Sequence, residues 1–163
     1  MANKKIIKQL NHQINRELFS AYLYMAMGAY CDEKGLRGFS NWFIVQVKEE
    51  LEHAKIIYDY VNDLGEKIEL LAIEAPAKSF NSILDLFEKT LTHEKSVTKL
   101  IWGLVSLAKQ EKDYATENFL TLFVKEQIEE ESNVRAIIDK LKFIKDSGAG
   151  ILKLDSEFAL RKF

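Results

Sequence analysis

Apolar residues recur along most of the chain at alternating steps of three and four, the spacing that places side chains on one face of an α-helix. Glycines and polar turns divide this pattern into four long segments and a short one. The predicted helices cover residues 5–33, 37–64, 82–110, 113–145 and 154–161. We expect the glycine-rich stretch at 146–150 to end the fourth helix, because glycine favours helix C-termini. The pattern therefore predicts an all-α protein.

The lengths of the connections predict how these helices are arranged. The breaks at 34–38 and near 109–113 are short, whereas the connection at 65–80 is long. Asn81 and Ser82 are candidate caps for the third helix, since both side chains can accept a hydrogen bond from a free backbone N–H. Short, long and short connections are typical of a four-helix bundle with one long crossover. We expect that bundle, followed by a short fifth helix at the C-terminal end.

Polar groups interrupt the apolar face of each long helix near its middle. The main interruptions are Glu17 in the first helix, Gln46, Glu50 and His53 in the second, Glu94 in the third, and Gln127 and Glu130 in the fourth. In an antiparallel hairpin, residues equidistant from the turn lie opposite one another, so Glu17 should meet His53. By the same reasoning, Glu94 should meet Gln127 or Glu130. All four helices therefore bring polar groups to one level of the bundle.

The two predicted hairpins also resemble each other in sequence. The segment VKEELEH at Val47–His53 is followed 77 residues later by VKEQIEE at Val124–Glu130. Glu17 and Glu50 are 33 residues apart, as are Glu94 and Gln127. This repetition indicates an internal duplication of a helical hairpin and supports a shared polar level.

The predicted polar level would concentrate negative charge inside an apolar bundle. Its four glutamates are Glu17, Glu50, Glu94 and Glu130. Desolvating a carboxylate costs several kcal/mol, and no lysine or arginine lies on the predicted faces near this level. Protons, through raised pKa values, or cations must therefore compensate the charge. Two divalent ions would match it, and His53, three residues after Glu50 on the same helix face, supplies a nitrogen ligand. Oxygen-rich ligation with one imidazole suits iron, manganese or zinc.

Composition narrows the class of protein. The chain has 163 residues, enough for one domain over 1–163, and its net charge of -2 gives no electrostatic reason to bind nucleic acid or an anionic membrane. The longest uncharged run, 18–31, is shorter than the roughly 20 apolar residues of a membrane span, so we expect a soluble protein. Cys31, the only cysteine, excludes an internal disulfide and any site built on several thiolates. We expect a cytoplasmic location.

Seven stretches, in this order and spacing, carry a resemblance to a known family. They are NRELFSAYLY (15–24), GFSNWF (38–43), EELEHA (49–54), THEKSVT (92–98), QEKDYAT (110–116), EQIEEE (126–131) and LDSEFALR (154–161). Over essentially its whole length the chain resembles the non-haem ferritins of bacteria and archaea, which are di-iron four-helix bundles. One departure from the general di-iron pattern is Gln127-x-x-Glu130 in place of the second Glu-x-x-His motif. Ferritins share this departure, and it makes the two metal positions unequal.

The resemblance implies an iron-storage protein with ferroxidase activity. Such a protein binds Fe(II), oxidises it with dioxygen or hydrogen peroxide, and stores Fe(III) as a hydrated oxide inside a hollow homo-oligomer of 24 subunits. The resemblance implies that Glu17, Glu50 and His53 hold a first iron. It also implies that Glu50 bridges to a second iron held by Glu94 and Glu130.

The resemblance assigns further residues around this centre. Gln127 would hydrogen-bond a water or an oxygen-derived ligand beside the second iron, and Tyr24 would be a one-electron donor. A third, transit iron site would share Glu130 and would otherwise use Glu49, Glu126 and Glu129. No haem is expected, because Leu51 stands where bacterioferritins carry the haem-binding methionine.

On the residues alone, other interpretations stay open. A single glutamate on a helix is usually solvated, and charged runs such as those containing Glu49, Glu126 and Glu129 usually form an exposed face. Tyr24 alone would be interpreted as a core aromatic, and Cys31 as a packing residue. No role is assigned to His12, His93 or Glu52, and we expect Glu52 at the surface.

Two other classes of function also stay open. One is a small di-metal oxidase that acts on an organic substrate without forming a cage. The other is a non-enzymatic helical interaction protein with a polar specificity layer. Among related families, a rubrerythrin would need a cysteine-rich iron domain that one cysteine cannot build. The mini-ferritins place their ligands between subunits and lack the tail helix.

Overall fold

Five helices form the fold over residues 3–163, the part of the chain that this computed structural model describes. They are α1 (Lys4–Glu33), α2 (Arg37–Asp63), α3 (Ile83–Gln110), α4 (Tyr114–Ile144) and α5 (Gly148–Phe158). The described residues contain no strand, which confirms the all-α prediction. None of these helices combines the length and the apolar character needed to cross a membrane.

The helices pack as two hairpins joined by a long connection. α1 packs mainly on α2 and α3 mainly on α4, while α1 also contacts α3 across the two hairpins. The irregular connection between α2 and α3 is held against α1 by Asn11. Its side-chain nitrogen donates to the carbonyl of Lys67 at 3.0 Å, and its oxygen accepts from the N–H of Glu69 at 2.9 Å. The predicted four-helix bundle with one long crossover is confirmed.

Two apolar clusters fill the bundle, one on each side of its middle. One cluster is built around Tyr24, Phe43 and Phe87. The other contains Leu10, Ile57 and Leu120 among its buried residues. Apart from Gln46, which lies between two residues of the first cluster, the predicted polar interruptions of the four long helices lie between the residues that enter one cluster and those that enter the other. The apolar packing therefore holds the polar level in the interior.

The start of α3 confirms one predicted cap and corrects the other. Ser82 is the N-cap residue, and its hydroxyl accepts the N–H of Asp85 at 3.0 Å. Asn81 is not a cap; its backbone N–H instead donates to the Asp85 carboxylate at 3.0 Å. The two bonds form a reciprocal arrangement that satisfies two backbone donors at the helix start.

The fifth helix differs from its prediction. The predicted range 154–161 is wrong, because α5 begins at Gly148 and ends at Phe158. Ser147 caps it by accepting the N–H of Gly150 at 3.2 Å, so the glycine-rich stretch begins a helix as well as separating it from α4. The chain leaves α4 at Lys145, whose φ is 51°. Residues 159–163 follow the end of α5, and Arg161 among them contacts Asn41 and Trp42 of α2.

α5 docks on the start of α2 through an unusually close backbone approach. A Cβ atom built on Gly38 would lie 1.6 Å from the carbonyl oxygen of Asp155. The N–H of Phe39 donates to the Asp155 carboxylate at 2.9 Å, and the Phe39 ring meets the Phe158 ring edge-on at 5.0 Å. Only glycine at position 38 leaves room for these contacts, since a Cβ would clash with backbone atoms of Asp155.

We predict that Gly38→Ala displaces α5 and the residues after it. The added methyl group overlaps a backbone carbonyl, and overpacking of this kind costs about 1–3 kcal/mol. Hydrogen exchange should become faster across residues 148–163, and the thermal midpoint should fall. Gly103→Ala is the matched control, because a Cβ on that helical glycine meets nothing within 4 Å. Equal exchange protection of α5 in the two variants would contradict the assigned role of Gly38.

Candidate metal centre

Three buried side chains converge between α1 and α2. Each of Glu17, Glu50 and His53 offers one ligand atom, and the three atoms lie within 4.8 Å of one another. Glu17 comes from α1, while Glu50 and His53 are one helical turn apart on α2, which confirms the predicted pairing of these helices at one level. Carboxylate oxygens and an imidazole nitrogen at this separation form a suitable donor set for a first-row divalent metal.

The hydrogen bonding of Glu17 shows that the donor set fits a cation. Gln13 donates from its side-chain nitrogen to Glu17 Oε1 at 2.7 Å, whereas Glu17 Oε2 is buried without a hydrogen-bond partner. A buried carboxylate oxygen with no donor is costly unless a cation faces it. His53 Nδ1 lies 3.5 Å from Glu50 Oε2, so the imidazole presents this nitrogen to the same group.

Glu94 on α3 lies beside this group and is held by two neighbours. The hydroxyl of the fully buried Tyr24 donates to Glu94 Oε1. Gln127 on α4 donates from Nε2 to Glu94 Oε2 at 3.1 Å and to the Glu94 carbonyl at 3.2 Å. The same nitrogen lies 3.2 Å from the Thr98 hydroxyl. The amide of Gln127 is therefore oriented with its nitrogen towards α3.

Glu130 occupies the edge of the layer rather than its centre. It is partly buried, and its Oε2 accepts from Gln46 Nε2 at 3.1 Å. It does not belong to the group whose ligand atoms lie within 4.8 Å, but its charge acts on Glu94. The structure thus places the predicted second-site residue Glu94 in the buried layer and its partner Glu130, partly exposed, at the edge.

The predicted third-site residues line an acidic cleft next to the layer. The cleft has a volume of about 200 Å³ and is lined by Glu49, His53, Glu126, Glu129, Glu130, Asn133 and Arg161. His53 Nε2 lies 3.1 Å from Glu126 Oε2. The two groups are not aligned for a hydrogen bond, and Glu126 Oε2 is buried without such a partner. His53 therefore faces the buried layer with one nitrogen and the cleft with the other.

The electrostatics of the layer oppose its full ionisation. Burial raises the pKa of Glu50 well above its ordinary value, and the charges of Glu17 and Glu94 raise it further, although His53 opposes the change. Burial likewise raises the pKa of Glu94 to about 7; the hydrogen bond from Tyr24 opposes this, and the charge of Glu130 adds to it. Carboxyl groups with raised pKa values bind protons unless a cation replaces them.

The pKa of His53 shifts in the direction that favours the protonated imidazole. Burial alone lowers the pKa of His53, but its contacts with Glu126 and Glu50 outweigh that effect and raise the pKa to about 11. The protonated imidazole is thus an internal cation that offsets part of the carboxylate charge. A metal ion that uses His53 must displace this proton, so metal binding is coupled to proton release.

Four residues of the site lie beyond what sequence reasoning identified as ligands. They are Gln13, Gln46, Thr98 and Arg161. Gln46 lies on the predicted apolar face of α2, and this position is the only feature of the sequence that indicates its place in the site. Arg161 reaches the border of the site from outside the four predicted helix faces. It lies past the end of α5, and its Nη2 donates to Glu49 Oε2 at 2.9 Å, 112 residues away in sequence.

The residues without a predicted role lie outside the metal-ligand group. His93 is in contact with Ser20 Oγ at 2.8 Å, and burial together with the charge of Arg16 lowers the pKa of His93 to about 4. Cys31 is buried in the apolar cluster, where burial raises the pKa of its thiol to about 12. Two others, Glu52 and His12, are exposed, and the surface prediction for Glu52 is confirmed.

Comparisons with known proteins agree with this arrangement. The family of ferritin-like domains matches residues 7–144. The bacterial non-heme ferritin of Staphylococcus haemolyticus is 45% identical over 163 residues, covering 100% of this chain and 98% of the relative. The bacterial non-heme ferritin of Staphylococcus aureus is 43% identical with the same coverage.

Solved structures give the same result at the level of the fold. An open-pore ferritin from the hyperthermophilic archaeon Archaeoglobus fulgidus superimposes with a TM-score of 0.98 at 46% identity, covering 99% of this chain and 100% of that one. A closed form of the Archaeoglobus fulgidus ferritin, engineered by site-directed mutagenesis, superimposes with a TM-score of 0.99 at 47% identity. It covers 100% of this chain and 99% of that one.

We predict that Glu94→Gln changes the pH dependence of stability in the metal-free protein. Because the folded-state pKa of Glu94 is raised from 4.5 to about 7, its contribution to stability is complete below pH 4.5 and is lost as the pH rises through 7. Glutamine cannot ionise and avoids that loss. The free energy of unfolding of the variant, measured with a chelator present, should therefore gain on that of the unmodified protein between about pH 5 and pH 8, by on the order of 1–3 kcal/mol.

Glu52→Gln on the exposed face of α2 is the control for this measurement. Its stability should differ from that of the unmodified protein by the same amount at about pH 5 and about pH 8. A Glu94→Gln difference that does not change with pH would mean that the carboxyl titrates normally.

Proposed function

This chain belongs to the ferritin family, and from that premise we propose how its own residues carry out the family's activity. It is an iron-storage protein with ferroxidase activity, and Fe(II) is its substrate. The proposal concerns which side chains hold each ion, which oxidant is used and how the subunits assemble.

We assign the first iron to Glu17, Glu50 and His53. The observation that supports this most strongly is the convergence of their three ligand atoms within 4.8 Å in the buried layer. The unpartnered Oε2 of Glu17 adds support, since it is a buried oxygen that a divalent ion would satisfy. No lysine or arginine competes for that oxygen among the hydrogen bonds and ion pairs of residues 3–163.

We assign the second iron to Glu94 and Glu130, with Glu50 bridging the two ions. Glu94 and Glu130 border the layer from α3 and α4, and Glu50 lies in its buried group. Gln127 then serves as a hydrogen-bonding neighbour of a bound water or oxygen species. Its Nε2 already donates to Glu94, which makes the amide a positioning group rather than a strong ligand.

The third, transit site is assigned to Glu49, Glu126 and Glu129, with Glu130 shared. The acidic cleft of about 200 Å³ supports it, as does Glu126 Oε2, which is buried beside His53 Nε2 and accepts no hydrogen bond. His53 lies between this cleft and the buried layer, so an ion in the cleft is close to the first iron. Glu130 is assigned to both the second and the third site and gives these two sites a common ligand.

The reaction is electron transfer from Fe(II) to dioxygen or hydrogen peroxide, of the ferroxidase class. The protein contributes a water-poor layer whose anionic oxygens favour the higher charge of Fe(III). Glu50 and Glu94, whose pKa values are raised, release any bound proton when iron arrives. Tyr24, hydrogen-bonded to Glu94, is placed to supply one further electron.

We further propose that the chain assembles into a hollow homo-oligomer of 24 subunits that encloses the ferric mineral. Several large apolar side chains are exposed on the single chain, including Leu70 at 67% and Phe143 at 89%. Exposed apolar groups of this size are typical of contacts between subunits. The proposal also includes a single domain spanning 1–163 and a location in the reducing cytoplasm. It includes no haem, nucleic acid or membrane partner.

We predict that Glu50→Ala and His53→Ala each slow the initial oxidation of Fe(II) at least about tenfold, because each removes a ligand of the first iron. Fe(II) is added aerobically to the iron-free protein while oxygen consumption and Fe(III) absorbance are recorded. Glu52→Ala is the matched control, one exposed glutamate on the same helix, and should keep the original rate. Unchanged initial rates in both ligand variants would refute the site assignment.

Sizing of the iron-loaded product tests the assembly. A hollow particle of about 24 subunits that carries many Fe(III) ions per subunit supports storage inside a cage. A discrete dimer that oxidises iron without retaining it would contradict the cage and favour a small di-metal oxidase.

We predict that Tyr24→Phe removes a transient tyrosyl radical from the reaction. The variant keeps the buried ring but lacks the hydroxyl that donates to Glu94. Freeze-quenched samples taken during the first turnover should show the radical by electron paramagnetic resonance in the unmodified protein and not in the variant. Tyr60→Phe, whose hydroxyl contacts Thr116 at 3.0 Å, is the control. An identical radical signal in Tyr24→Phe would exclude this tyrosine as the donor.

A further inference from the structure

The chain segment after α5 is fixed on the surface of α2. The side-chain nitrogen of Asn41 donates to the carbonyls of Phe158 at 2.8 Å and Arg161 at 3.0 Å. The guanidinium of Arg161 lies over the ring of Trp42, 4.6 Å from its centroid, and Nη1 donates to the Trp42 carbonyl at 3.1 Å. The arginine is therefore held by both its backbone and its side chain.

The other end of the guanidinium enters the acidic cleft. Arg161 Nη2 donates to Glu49 Oε2 at 2.9 Å and to Gln46 Oε1 at 2.5 Å. Gln46 in turn donates to Glu130 Oε2 at 3.1 Å. Arg161 thus contacts one proposed third-site ligand directly and a second through Gln46.

This arrangement differs from an ordinary surface ion pair. An exposed pair between flexible side chains contributes little, because ordering the side chains offsets the attraction. Here the ring of Trp42 and the hydrogen bonds fix the planar guanidinium in place. Arginine also stays protonated in proteins, so it cannot yield to a metal ion by losing a proton. A permanent positive charge consequently occupies the border of the cleft.

We propose that Arg161 is a tethered counter-cation that lowers the affinity of the third site for Fe(II). A divalent ion bound by Glu49 must share that carboxylate with the guanidinium and must bear its repulsion. The first iron, whose proposed ligands Glu17, Glu50 and His53 make no hydrogen bond or ion pair with Arg161, keeps its affinity. Iron therefore binds weakly in the cleft and strongly in the layer. This inference rests on the proposed third site, whose own failure the experiment below separates from a failure of Arg161.

The test is an anaerobic calorimetric titration of the assembled, iron-free protein with Fe(II). Arg161→Gln should tighten binding of the third ion at least about tenfold and leave the first ion, held by Glu17, Glu50 and His53, unchanged. Arg161→Lys, which keeps the charge, should stay nearer to the unmodified protein. Lys162→Gln is the matched control, because it removes the same charge from the neighbouring exposed residue. Glu49→Gln should weaken the third ion in the unmodified background.

Gly38→Ala provides an independent route to the same result. It leaves Arg161 in the sequence but displaces the segment that carries it, so the third ion should bind more tightly here too. This variant distinguishes the position of the guanidinium from any local effect of the glutamine substitution.

Each other outcome overturns the proposal. If Glu49→Gln weakens the third ion while Arg161→Gln leaves it unchanged, the site exists and Arg161 does not oppose it. If Arg161→Gln weakens the third ion, the arginine organises Glu49 rather than competing with the metal. If Lys162→Gln has the same effect as Arg161→Gln, the effect is one of general charge. If no variant binds a third ion, the proposed site itself fails and the role of Arg161 fails with it.

Discussion

The cost of burying carboxylates in the middle of a helical bundle is the constraint on which the rest of this structure depends. Two apolar clusters hold the four helices together on either side of the layer, so its acids cannot turn out to water without breaking core contacts. The neighbouring polar groups satisfy the layer only in part. Gln13 donates a hydrogen bond to one oxygen of Glu17, and the other oxygen has no hydrogen-bond partner. A protein that stabilises its layer incompletely retains free energy that a cation can recover on binding.

Much of the fold and of the inner site follows from local pattern. The apolar spacing predicted α1 to α4 to within a residue or two, because long amphipathic helices depend mainly on residues close in sequence. The level of Glu17, Glu50 and His53 followed from distance to a short turn, since antiparallel packing leaves little choice of register. These predictions needed no knowledge of the tertiary contacts.

The outer part of the site could not be predicted in this way. The position of Arg161 depends on where α5 begins, on the close approach at Gly38 and on the stacking over Trp42. Each of these is a contact between residues far apart in the chain, and none leaves a periodic signal. The error in the bounds of α5 has a local origin, because Ser147 begins the helix through a single cap to Gly150 that the apolar spacing does not record.

The two hairpins are near copies in sequence, yet the site they build lacks two-fold symmetry. In the sequence repeat, Gln127 corresponds to Glu50, Glu130 to His53, and Ile101 to Tyr24. The segment containing Arg161 occurs once and meets only the first copy. A strictly symmetric centre would present two equivalent positions, with no preferred sense of travel between them. Because the two halves differ, the two ends of the centre present different ligand chemistry, so a duplicated structural unit acquires a direction.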